Sequence, residues 1–169
     1  MTPDNIILGD GVFYLDETPI ALTRGGGTFS IEREYRNIEA DGDYGPVKGR
    51  IRKIKSIAKL LLNALELIPA QIVQMYPALQ INTGVDSTEI TAKEEIEAAD
   101  YQSEVIWVGQ TLAGQGVRIT LQNAINLENL EWSLVDKEEV VPEVTYTAAY
   151  LEGARKTEPW KVEFLNEYY

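Results

Sequence analysis

The clearest pattern along the chain is an alternation, with Phe29, Ile31, Arg33 and Tyr35 on one side and Thr28, Ser30, Glu32 and Glu34 on the other. A period of two marks a strand with one face mostly in the core and one in water. Arg50 to Leu62 (RIRKIKSIAKLLL) also alternates, setting Ile54, Ser56, Ala58, Leu60 and Leu62 against Lys53, Lys55, Ile57, Lys59 and Leu61. A helix competes here, because Ile54, Ile57, Ala58 and Leu61 also fit a 3.6-residue stripe. Strand is the preferred reading, since pairing with Thr28 to Arg36 would set its basic side chains near Glu32 and Glu34. Between the two runs, Asn37 to Gly49 holds three glycines, a proline and three acids, a loop longer than most connections inside a domain.

The other elements are shorter. Gly11 to Leu15 and Ile20 to Leu22 flank the turn residues DETP and predict a hairpin. Arg24-Gly25-Gly26-Gly27 is expected to break any regular element. Pro69 to Tyr76 predicts a helix that starts on a proline and is stopped by Pro77. Strands are then predicted over Thr88 to Ile96, Glu104 to Gln110, Val117 to Leu121, Leu130 to Val135, Glu143 to Leu151 and Trp160 to Leu165, with Asn123 to Glu131 ambiguous. Pro142 and Pro159 sit at strand starts, where a missing N–H does least harm. Many short strands and one helix predict a mainly β fold, a β-sandwich or barrel in a single domain of 169 residues without internal repeats.

Composition narrows the chemistry. The chain has no Cys and no His, so thiolate nucleophiles, imidazole bases, disulfides and the usual zinc ligands are all absent. No apolar run approaches a bilayer span and the start MTPDNIILGD lacks a basic n-region, so neither a membrane anchor nor a signal peptide is expected. The net charge is -12, and it is uneven: Met1 to Lys59 holds nine acids and nine bases, Leu60 to Tyr169 eighteen acids and six bases. Such a surface repels phosphates and disfavours tight generic binding of nucleic acid.

The candidate sites are weak as chemistry. Glu39-Ala40-Asp41-Gly42-Asp43 is rich in oxygen ligands but fails the EF-hand spacing, with Gly45 at the fifth position of the loop and no Glu closing it at the twelfth. The glycine run lacks the Lys-Ser/Thr ending of a phosphate loop. Glu94/Glu95 and Glu138/Glu139 are sequence neighbours, which in strands point to opposite faces and do not converge on one bond. Trp107, Trp132 and Trp160 lie in apolar strand contexts, which favours packing over a sugar-stacking platform. No nucleophile-base pair stands out, so the expectation is a protein that is not an enzyme and needs no cofactor and no metal.

The stretches LTRGGGTFSIEREYRNIEADGDYGPVKG (Leu22 to Gly49) and INLENLEWSLVDKEEVVPEVTY (Ile125 to Tyr146), with YQSEVIWVG and EPWKVEF, lie in an order that resembles the major tail, or tail tube, proteins of long non-contractile-tailed bacteriophages and prophages of Gram-positive bacteria. The resemblance implies two packed β-sheets with a flanking helix. It also implies hexameric rings that stack into a tube in the virion, made in the host cytoplasm, around a tape-measure protein and later around passing DNA. Tail terminator and baseplate or distal tail proteins would be its other partners, with no membrane. The long loop, through Asp41, Asp43, Tyr44 and Lys48, would touch the adjacent ring, with terminal segments such as Trp160 to Tyr169 doing likewise. Some of Glu32, Glu34, Glu94, Glu97, Glu128 and Glu131 would line an acidic lumen, and Arg50, Arg52, Lys53 and Lys55 would pair with acids of a neighbouring subunit or ring. A tube of a contractile tail or of a phage-derived injection device is the alternative, and a monomeric glycan-binding β-sandwich a more distant one.

Overall fold

The computed structural model describes residues 3–20 and 22–168. Ala21, inside the predicted hairpin, and Tyr169, at the end of the terminal segment, lie outside the described residues. The fold of the described residues is mainly β, an eight-stranded sheet, a separate two-stranded hairpin and one α-helix, and a β-sandwich fits it. Strand β1 (Ile7–Leu15) turns through Asp16, at φ 53°, into the two-residue β2 (Thr18–Pro19). Strands β3 (Thr23–Asn37) and β4 (Ile51–Ala64) follow, then helix α1 (Pro69–Met75) and the hairpin β5 (Leu79–Thr83) and β6 (Thr88–Ala92). Strands β7 (Gln102–Thr111), β8 (Gln115–Asn126), β9 (Glu143–Ala148) and β10 (Trp160–Tyr168) complete the chain.

One path of hydrogen-bonded strands, β2-β1-β7-β8-β9-β4-β3, folds back on itself, with β10 branching from β8. The branch point is the bend. Trp160–Phe164 of β10 pairs with residues 117–121 of β8, while β9 pairs with residues 124–126 of the same strand. Asn123 separates the two sets at φ 50°, a left-handed residue that flips the alternation so that Leu121 and Ala124 both face the core. Strands that switch layers through such a bend make the corner of a sandwich. Between the layers lies one core: Phe13, Leu15, Val105, Trp107, Val117 and Leu121 from one side, and Ala58, Leu60, Leu62, Val144 and Tyr146 from the other.

The glycines show how close the layers come. Gly27 leaves no room for a side chain between the Leu61 carbonyl and the Phe13 ring, and the cross-strand pair Gly11 and Gly109 flanks the Trp107 indole. The expected break at Arg24 to Gly27 does not occur. β3 runs through it, absorbing Gly25 (φ 85°) and Gly26 (φ 74°) in a bulge between the pairs Thr23↔Ala64 and Gly27↔Leu62. Leu130 to Val135 is also different from expectation: it forms no strand, and among the described residues the backbone of 129–134 finds no hydrogen-bond partner. The helix spans Pro69–Met75, as its proline start and Pro77 stop imply.

Candidate assembly surfaces

β3 and β4 pair from Thr23↔Ala64 to Asn37↔Ile51, and only part of that ribbon covers core. On β4, Ser56, Ala58, Leu60, Leu62 and Ala64 are buried in strict alternation, whereas Ile51 to Lys55 are all exposed. On β3 the matching positions Phe29 and Ile31 are partly buried, and Glu32 to Arg36 are exposed on both faces. The outer part is thus a two-stranded arm reaching beyond the second layer. Cross-strand ion pairs hold it: Lys59 reaches Glu32 at 2.9 Å and Lys55 reaches Glu34 at 3.2 Å. A bulge at Ile54, between the pairs Glu34↔Lys55 and Tyr35↔Lys53, turns its side chain 60 % into solvent.

At the tip of the arm the loop of residues 38–50 has its own scaffold. The Asp43 carboxylate accepts the Ala40 N–H at 2.8 Å and the Arg50 guanidinium at 2.7 Å, and Arg52 donates to the Gly49 carbonyl at 2.7 Å. Tyr44 is fully exposed, and Asp41 and Lys48 are exposed beside it. Of the four predicted loop-contact residues, Asp43 shapes the loop and the other three are free to touch something else.

At the base of the arm, Glu158 gathers four donors. Lys53 pairs with it, Ser56 Oγ donates at 2.9 Å, Trp160 Nε1 at 2.9 Å, and the Tyr150 hydroxyl, which also reaches the Ser56 carbonyl, at 3.2 Å. The Lys53 ammonium first, then the three neutral donors, hold its carboxyl at about 2 against a push upward from burial. This clasp ties the crossover between β9 and β10 to β4. Nothing in the sequence flagged Glu158, because Lys53 and Ser56, which bring its clasp together, are about a hundred residues away.

The predicted lumen carboxylates are scattered over several elements. Glu32 and Glu34 are on the arm and face lysines; Glu94 and Glu97 follow β6, with Glu97 3.7 Å from Lys93; Glu128 and Glu131 are in the segment after β8. All six are exposed. Of the basic residues expected to seek a neighbouring subunit, Arg50, Lys53 and Lys55 have carboxylates of their own chain, and Arg52 has backbone carbonyls.

The tryptophans do not form a platform. Trp107 is buried, Trp160 packs against Phe29 with ring centroids 5.8 Å apart, and Trp132 lies outside any strand with its side chain near the Tyr76 hydroxyl. Among the described residues no helix is long and apolar enough to cross a membrane. Among known proteins, no family model and no curated sequence matches this chain.

Proposed function

We propose that the protein is a structural subunit that assembles with copies of itself into hexameric rings stacked as a tail tube. The observation that carries this reading is the arm. It extends a β-ribbon beyond the core that would justify it, leaves the outer edge of the fifteen-residue β3 without a partner among the described residues, and ends in a shaped loop with an uncovered tyrosine. An open edge of that length invites pairing with another chain, and closing strands of several copies into one barrel removes the edge.

Stacking of rings would then run through the loop tip at Asp41, Tyr44 and Lys48, with Asp43 and Arg50 holding its shape. A net charge of -12, concentrated after Leu60, keeps a polyanion from adhering inside such a conduit. The tape-measure protein, the terminator and the baseplate would be its partners on this reading, and the virion its place. Sedimentation over a wide concentration range tests it: a step from single chains to six-chain rings and then to much larger particles is expected. A single-chain species at every concentration refutes it.

A further inference from the structure

The segment between β8 and β9 is the most unusual surface of the molecule. Residues 127–139 are all exposed, although they include Leu127, Leu130, Trp132, Leu134 and Val135; Leu134 is 80 % exposed. Leu130, Trp132 and Leu134 alternate with Glu131 and Ser133 as in a strand, yet among the described residues the backbone of 129–134 makes no hydrogen bond. The segment also carries five acids, Glu128, Glu131, Asp136, Glu138 and Glu139, against one base, Lys137. It is an extended acidic strap with strand chemistry and no strand partner.

A matching groove lies elsewhere on the same chain. It runs along Lys53–Ile57 of β4 and the crossover after β9, and it is lined by Lys53, Lys55, Arg155 and Lys156; Lys53 is paired with Glu158 at the groove wall, Lys55 with the exposed Glu34 and Arg155 with the exposed Glu152, and among the described residues Lys156 has no carboxylate partner. Four of the chain's fifteen basic residues meet here, beside the exposed Ile54. β9 pairs with β4 only over Lys59–Asn63, so along the groove the edge of β4 away from β3 has no strand beside it.

Strap and groove are at opposite ends of β4. The strap returns to the sheet where the Ala64 N–H donates to the Pro142 carbonyl at 3.1 Å, and Arg24 holds Glu139 at 2.8 Å. Ser56, in the groove, is eight residues from Ala64, roughly 26 Å along a strand. We infer that the strap of one copy docks as an extended segment along the groove of a second copy, Glu128, Glu131 and Asp136 meeting Lys156 and taking the place of the exposed partners of Lys55 and Arg155 while Leu134 covers Ile54. The free charge of Lys156, together with an open β4 edge facing a segment of strand pattern that lacks a pairing partner, selects this occupant. Donor and acceptor are different patches of one chain, so the contact is head-to-tail, the kind that repeats around a ring or along a stack. The inference rests on the self-assembly reading and deepens it by naming the surfaces.

The test is a charge swap read by light scattering and sedimentation. Glu128→Lys with Glu131→Lys on the strap, or Arg155→Glu with Lys156→Glu in the groove, is expected to raise the concentration needed for association at least about tenfold, with an unchanged unfolding midpoint. The chain carrying all four substitutions is expected to associate again near the wild-type concentration. One-sided variants that associate like the wild type, or a four-fold variant as weak as they are, overturn the inference. Tubes formed equally by all variants would remove this contact and leave the tube reading standing. Charge-dependent, rescuable association that yields open chains and no rings would keep the contact and remove the tube. A wild-type chain that never associates overturns both.

Discussion

The two halves of β4 share one strand and live in different surroundings. From Ser56 to Ala64 every second side chain is buried in the core, while from Ile51 to Lys55 every side chain is in solvent, Ile51 and Ile54 included. Strand formation needs only a hydrogen-bonded neighbour, which β3 supplies along the whole length; burial needs a second layer, which ends near Ser56. The inner half therefore holds the fold together, and the outer half is free to serve contacts with other molecules.

That contrast is sharpest under substitution. Leu62→Ala, at a fully buried inner position, should cost about 3 kcal/mol of folding stability and be visible as a lowered denaturant midpoint. Glu158→Gln, at the boundary between the halves, should cost about 1–2 kcal/mol, because it removes the partner of Lys53 and weakens three further hydrogen bonds. Its pH dependence has a defined sign. The folded carboxyl titrates at about 2, below an unfolded glutamate, so its stabilisation is complete above the unfolded value and fades as pH falls toward 2. The Gln variant should accordingly lose less stability than the wild type between neutral pH and pH 2, as acid titration of the circular dichroism would show.

Further out the effects on folding shrink. Glu34→Gln breaks an exposed pair with Lys55 and should move stability by less than about 0.5 kcal/mol. Deleting Gly42 to Pro46 also removes Asp43 and its bonds to Ala40 and Arg50, a local loss in an exposed loop that should leave the unfolding midpoint of the core close to the wild type. Its effect should be on assembly: rings that form and do not stack, seen by electron microscopy. Tubes of normal length from that variant would show that the loop tip has no part in stacking.

The sequence made the ribbon legible because Phe29, Ile31, Ala58, Leu60 and Leu62 keep a period of two, and because Glu34 lies opposite Lys55 and Glu32 diagonal to Lys59 once the strands pair. It did not show where the second layer ends, which depends on β1, β7 and β10 packing from across the chain. The glycine run was misread as a break, since a bulge and a break use the same residues. β5 (Leu79–Thr83) was missed because LQINT carries only a weak alternation in a largely exposed hairpin. Leu130 to Val135 has the pattern of a strand and is not one, because pattern reports what a segment is suited to pair with, and among the described residues it finds no partner. Glu158 was invisible for a related reason: its local partners Tyr150 and Trp160 form a clasp only with Lys53 and Ser56, about a hundred positions away.

Electron microscopy of the purified full-length protein at high concentration tests the central claim most directly. Sixfold rings with a central opening, lengthening into hollow tubes as concentration rises, are the predicted result. Discrete particles the size of one chain, with no rings under any condition that keeps the fold intact, would contradict it.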